Sequence, residues 1–218
     1  MCRAEGVSLQ RGMNYRLRPN YSVILMSVRK GAPYADRIEE NGEVLIYEGH
    51  DVPRTKNGPN PKKANQKKQT SSGTPTQNGR FFDAAEGFKN GARIPETVRV
   101  YEKIMQGTWV YNGLFRLKDA WTEKQNRRTV FKFRFEFDDA EVGESTDEVA
   151  EEHTRIIPPG VKRVVWKRDK GRCVLCGSAI NLHFDHIIPY SKGGSSSDPK
   201  NIQILCARHN IAKKNNIE

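Results

Sequence analysis

Near the C-terminus, cysteine and histidine recur in two matched pairs, Cys173-Val-Leu-Cys176 and Cys206-Ala-Arg-His209. A Cys-x-x-Cys turn aims two thiolates at one point, and Cys-x-x-His does the same with a thiolate and an imidazole. The four groups together suit a tetrahedral zinc ion. Chance or a redox dithiol would account for one pair, but not for a second at the same spacing. Twenty-nine residues separate the pairs, so a whole small motif must be folded back between them. A closed shell of Cys173, Cys176, Cys206 and His209 leaves no position for water, which makes the expected Zn2+ structural. A C-terminal unit of about 58 residues with few large apolar side chains needs such a staple. The fourth cysteine, Cys2, stands apart.

The enclosed segment runs Leu182-His-Phe-Asp185-His186-Ile-Ile-Pro189, then Gly193-Gly194, then Asp198-Pro-Lys-Asn201 ahead of Cys206. It reads as a strand, a Gly-rich loop, a second strand and a helix carrying His209 and Asn210. A short basic helix over Val161–Lys170 is expected to lead into the first pair.

Upstream the pattern changes to strands. Apolar runs occupy residues 21–29, 43–47, 97–101 and 114–117, with a strand-turn at Trp109–Gly113. In Val130–Phe137 the alternation is strict, with Phe131, Phe133, Phe135 and Phe137 on one face and Lys132, Arg134 and Glu136 on the other, so a half-buried strand is expected. Short helices fit near Phe81–Gly87. The chain therefore divides into a β-rich domain over 1–137, a linker over 138–160 and the metal-stapled unit over 161–218, an α+β protein overall.

The net charge of +11 and a pI near 9.6 suit a polyanionic partner. That charge persists despite nine acidic residues and no base between Glu136 and Glu152. Between Asp51 and Asp83 lie seven basic residues and no acid, interrupted by Pro and Gly. Such a stretch is either a disordered loop or an arm that tracks a nucleic-acid backbone. No stretch reaches the 18 apolar residues of a membrane span and no signal-peptide core is present, so a cytosolic or nucleoid-associated protein is expected, with no membrane partner.

The Asp-His pair, the Pro, the Gly-Gly, Asn201 and both knuckles, arriving in that order, resemble an HNH (ββα-metal) endonuclease domain over about residues 161–218. The resemblance implies that His186 is the general base toward a water attacking the scissile phosphate. Asp185 and Asn210 would hold one Mg2+ or Mn2+, and Asn201 would orient the loop or His186. Asn210 stands where the family more often has a third His, so the site is an H-N-N variant. His183 either faces the phosphate or has a structural or supporting role.

Gly31-Ala-Pro-Tyr34-Ala-Asp36, Asn41–Gly49, Ala64-Asn-Gln66, Asn78-Gly-Arg-Phe, Val98-Arg-Val-Tyr and Tyr111-Asn-Gly113 resemble in order an SRA (YDG) domain, a twisted β-barrel module that flips a modified cytosine out of DNA. The resemblance spans about residues 20–137. It implies base stacking by Tyr34 and Tyr47, with Asp36 accepting from the cytosine N4 amino group. Tyr111-Asn112-Gly113 replaces the family's Tyr-Asp-Gly. Lys62, Lys63, Lys67 and Lys68 become phosphate contacts or the arm that fills the gap left by the flipped base. The two resemblances together imply a bacterial modification-dependent restriction endonuclease that acts on double-stranded DNA containing 5-methylcytosine or 5-hydroxymethylcytosine. Cutting both strands would imply a homodimer or two visits. A non-cleaving reader, or a nuclease indifferent to modification, are the alternatives.

Overall fold

The computed structural model describes residues 5–40, 43–56, 58, 60–138 and 156–213. Cys2, His153 and most of the acidic stretch expected to form the linker lie outside the described residues. Seven strands form one sheet: β1 (Met13–Arg18), β2 (Tyr21–Met26), β3 (Arg37–Glu39), β4 (Val44–Glu48), β5 (Thr97–Met105), β6 (Thr108–Gln125) and β7 (Arg128–Phe137), in the order β1-β2-β5-β6-β7-β4-β3. Only β2 and β5 run parallel, and the remaining neighbours are antiparallel.

The sheet curls around helix α1 (Gln77–Lys89). Met13 near one end of the strand order and Leu45 and Tyr47 near the other join the same core cluster as Phe81, Ala84 and Ala85 of the helix. Phe81 packs edge-on against Tyr15, Phe133 and Phe135. Apolar area removed from water on this scale is the main source of stability in such a domain. The helix begins where Thr76 accepts from the Gly79 N–H at 3.1 Å, a side-chain cap satisfying one orphan donor.

Two local expectations are corrected. Asn112-Gly113, a turn signal by composition, lies inside the 18-residue strand β6. Val100 pairs with Gly113 and Tyr101 with Tyr111, so Asn112 is the extra residue of a β-bulge. Gly113 has φ +109°, and a Cβ there would come within 2.9 Å of the Phe137 ring, which is why glycine follows the bulged residue. Lys132, expected on a polar face, is buried and paired with Glu48 at 3.1 Å.

The C-terminal unit is built from helix α2 (Pro159–Arg168), the two-stranded antiparallel sheet of β8 (Leu182–His186) and β9 (Ile202–Cys206), and helix α3 (Ala207–Lys213). Helix α2 starts two residues earlier than expected, at a proline whose missing N–H costs nothing at a helix start. Val161 and Val165 of α2 pack on Ile202 and Ile204 of β9. Asp169 and Arg168 tie the same elements together, Asp169 accepting from the Ile204 N–H and Arg168 donating to the Ile202 carbonyl.

Candidate active site and nucleic-acid interface

The four ligand groups expected for zinc converge. Cys173, Cys176, Cys206 and His209 place one atom each within 4.8 Å of all the others. The Cys176 and Cys206 sulfurs are 3.8 Å apart, and His209 Nδ1 lies 3.4 Å from the sulfurs of both Cys173 and Cys206. Zinc–sulfur and zinc–nitrogen bonds of ordinary length give a tetrahedron with S–S edges of about 3.8 Å and S–N edges of about 3.5 Å. The residues fit the ion. Burial alone would push the Cys173 thiol up, but backbone N–H groups of Cys206, Cys176 and Leu175 and the His209 side chain bring it down to about 6. That favours the thiolate a metal requires.

β8 carries Asp185 and His186 side by side. His186 Nε2 lies 2.7 Å from Ser196 Oγ, and Tyr190 packs near its ring. Asn201 braces the loop that follows: its Oδ1 accepts from the Ile188 N–H at 2.8 Å, and its Nδ2 donates to the Ile188 and Ser195 carbonyls. Gly194 completes the brace, because a Cβ there would overlap the Ile188 carbonyl at 1.8 Å. Helix α3 presents His209 to the cysteine cluster and places Asn210 next along the chain, half-buried.

Lys213 on the same helix was not singled out by sequence. It is buried, and its ammonium lies 3.0 Å from Asp185 Oδ2 and donates to the His186 carbonyl at 2.7 Å. Gln203 Nε2 approaches the same carboxylate oxygen at 3.4 Å. A cation thus already sits on Asp185, and a hard carboxylate oxygen of this kind is the donor that Mg2+ or Mn2+ prefers. The only available signal for Lys213 was its position, three residues past Asn210 and so on a neighbouring face of the helix.

His183, also on β8, packs edge-on against Tyr111 of the N-terminal domain with ring centroids 6.4 Å apart. Burial, and then the positive field of Arg99, hold its pKa below the usual histidine value, which disfavours the charged form.

Tyr34, Asp36 and Tyr47 lie close together where β3 and β4 meet β2. Asp36 Oδ2 accepts from the Ser27 N–H and Oδ1 from the Glu48 N–H, both at 3.0 Å. Burial pushes this carboxyl up to about 6; the two N–H groups pull it down, and the Glu48 charge raises it further. Tyr47 is only 3% exposed, edge-on to Phe135, with its hydroxyl directed at the Leu25 carbonyl. Burial, then the fields of Asp36, Tyr34 and Glu48, raise its pKa well above that of a free phenol. Tyr34 is half-buried, and the Lys62 ammonium sits 3.8 Å from its ring centroid.

Beneath lies a buried ion network. Glu48 pairs with Arg128 at 2.8 Å and with Lys132, and Asp51 pairs with Arg128 and with Lys62 at 2.8 Å. Gln66 and Asn78 lace the adjoining loop, Gln66 donating to the Gly49 carbonyl and Asn78 to the His50 carbonyl.

The four lysines divide. Lys62 is held on Asp51 and Tyr34, and Lys68 pairs with Asp83 at 2.7 Å and covers the Phe82 ring. Lys63 and Lys67 are exposed.

The SAD/SRA domain model matches residues 4–140, and the HNH endonuclease model matches residues 173–216. Among solved structures, the SUVH5 SRA domain in complex with hemi-methylated CG DNA is 20% identical, with a TM-score of 0.40, over 65% of this chain and 79% of that one. The same domain bound to fully hydroxymethylated CG DNA is 21% identical, with a TM-score of 0.39, over 65% and 80%. The modification-dependent TagI restriction endonuclease is 21% identical, with a TM-score of 0.38, over 95% of this chain and 71% of its own. No curated protein sequence matches the chain. The first family match spans well over half of the residues: the chain belongs to the SAD/SRA domain family, and it carries an HNH endonuclease domain behind that SRA domain.

Proposed function

We propose that the chain is a modification-dependent DNA endonuclease of the cytosol or nucleoid, in which the SRA domain flips out 5-methylcytosine or 5-hydroxymethylcytosine and the HNH domain hydrolyses a phosphodiester bond nearby. The observation that carries this reading is the combination, in one chain, of an SRA domain with an adjacent Asp185–His186 pair at the end of strand β8, followed by a loop braced by Asn201.

Tyr34 would stack on the flipped base, Tyr47 would do so only after its buried ring is uncovered as the base enters, and Asp36 would accept from the N4 amino group. His186 would take a proton from the attacking water, leaving a 5′-phosphate and a 3′-hydroxyl. Asp185 and Asn210 would hold one Mg2+ or Mn2+, which supplies Lewis-acid stabilisation of the charge developing on the phosphate. Asn201 keeps the loop, and with it His186, in place. Zinc in the Cys3His cluster would be structural. One HNH site cuts one strand, so a double-strand break calls for a homodimer or for two visits by one chain.

The Lys213 ammonium on Asp185 supports a second reading, a reader whose nuclease site does not load its ion. Both are tested with methylated, hydroxymethylated and unmodified plasmid in Mg2+ or Mn2+, using the wild type and His186→Ala. Cutting confined to modified DNA and lost in the variant supports the first. Modified-DNA binding without cutting supports the second, and cutting that ignores modification refutes both.

A further inference from the structure

The nuclease domain touches the SRA domain through buried polar groups that neither chemistry uses. Lys162, in the first turn of α2, has a side chain only 3% exposed, and its ammonium donates to Glu102 Oε2 on β5 at 2.8 Å. The same ammonium donates to Asn112 Oδ1 on β6 at 2.6 Å. Asn112 Nδ2 in turn donates to Glu102 Oε2 at 2.9 Å, closing a three-membered ring of hydrogen bonds. Glu102 is fully buried. Isolated charges are not left in such a place: each needs the other, and the pair exists only while the two domains are in contact.

The bulge in β6 explains how Asn112 takes part. As the residue without a ladder partner, it is turned out of the regular alternation, and its side chain reaches Glu102 and Lys162 at once. An amide is the side chain that closes the ring, because it both donates to the carboxylate and accepts from the ammonium. An aspartate here could accept from Lys162 but would set a second carboxylate against Glu102. The Asn in Tyr111-Asn112-Gly113 thus has a physical reason at this interface. Two further contacts flank the ring. His183 of β8 packs on Tyr111, and the adjacent residues Ile156 and Ile157 enter the SRA core and the nuclease core respectively.

We propose that Lys162, Glu102 and Asn112 form a lock that docks the nuclease domain on the SRA sheet and thereby sets the distance between the recognised base and the phosphate that is cut. The second half of this statement rests on the function proposed above; the first half does not. The lock makes these three residues specificity-determining by position, although none of them contacts base or phosphate.

The test is a charge reversal in the full-length, zinc-loaded chain. Once undocked, residue 162 is a surface position of a helix, so Lys162→Glu can fold, whereas in the docked state it faces Glu102 with like charge. Small-angle X-ray scattering without DNA reads docking directly. Cleavage of a linear duplex with one modified cytosine, resolved to single nucleotides, reads cut distance. Lys162→Glu is expected to raise the radius of gyration by several ångström and to spread one dominant cut position over several, with modified-DNA affinity within twofold of wild type. The double variant Lys162→Glu/Glu102→Lys is expected to restore both readouts, since the Asn112 amide serves the reversed pair after turning over.

A Lys162→Glu chain with wild-type scattering and an unchanged cut position overturns the proposal. So does a double variant that remains as expanded as the single one. If the wild type cuts without regard to modification, the function proposed above fails while the scattering result still decides the lock.

Discussion

Replacing Asp36 by Asn tests the electrostatics of the proposed base-binding cluster separately from the role proposed for it with DNA. The Asp36 carboxyl is raised from 3.8 to about 6, chiefly by burial. A gap of about two units corresponds to about 3 kcal/mol between the protonated and ionised forms. The sign follows from linkage: a carboxyl whose folded pKa lies above its unfolded value binds its proton more tightly when folded. Its contribution to stability is whole below about pH 4 and is lost as pH rises through 6. About half of the loss is present at pH 5 and nearly all of it by pH 7 to 8.

Asn does not titrate, so Asp36→Asn escapes this loss. It also offers one acceptor oxygen where the carboxylate offers two to the Ser27 and Glu48 N–H groups. That mismatch costs about 1–3 kcal/mol at every pH. The absolute stability of the variant at pH 8 therefore comes out close to wild type. The stability difference between variant and wild type should nevertheless move by about 1–2 kcal/mol in the variant's favour between pH 5 and pH 8. Urea denaturation of both proteins at pH 5, 6, 7 and 8 measures this, and taking the difference cancels titration elsewhere. A difference that stays flat, or that moves the other way, refutes the reasoning that Asp36 is a costly buried charge at neutral pH.

Other outcomes follow from the geometry. Cys176→Ser should abolish zinc binding at the Cys3His cluster and the cooperative unfolding of the nuclease domain while modified-DNA binding persists, as read by metal analysis and a gel-shift assay. Lys213→Met removes the ammonium that competes for Asp185, so Mn2+ titrated calorimetrically should bind about tenfold more tightly. The same change should lower stability by roughly 3 kcal/mol, because a partly buried carboxylate loses its partner. Unchanged Mn2+ affinity would show that Lys213 and the ion do not share the site. Lys63→Gln and Lys67→Gln should each reduce the slope of log affinity against log salt by about 1, whereas Lys68, engaged with Asp83, should give a smaller change.

What could be read from the sequence depended on how local its cause was. The Cys3His cluster was legible because each half is a turn of four residues, and only the meeting of the halves required the fold. β7 was legible because alternation over Val130–Phe137 admits one pleated solution. β1 was missed although Met13, Tyr15 and Leu17 alternate. Its register breaks after Asn14, and Leu17 joins a different apolar cluster from Met13 and Tyr15. β3 was missed because three residues carry no period.

Asn112-Gly113 misled because the composition that makes a turn also makes a bulge, and the neighbouring strands decide between them. Among the candidate site residues, Asn201 has its loop-bracing contacts within 13 positions along the chain. Lys213 reaches Asp185 across a strand pair, and Lys162 reaches Glu102 across two domains. No window of sequence holds both partners of such a pair.

Ile156 belongs to one core and Ile157 to the other, and α2 begins two residues later. The chain therefore passes from the SRA core to the nuclease core within one residue, and Lys162 keeps its direction toward Glu102 only while the spacing into α2 is kept. Deleting or inserting one residue between Ile157 and Lys162 would turn the helix by about 100°. Lys162 would then point away from Glu102, and the HNH domain would face DNA with a different side. Length in this short stretch is geared to angle, so on the proposed function a single-residue insertion here would change which phosphate is presented, while every proposed catalytic side chain stays intact.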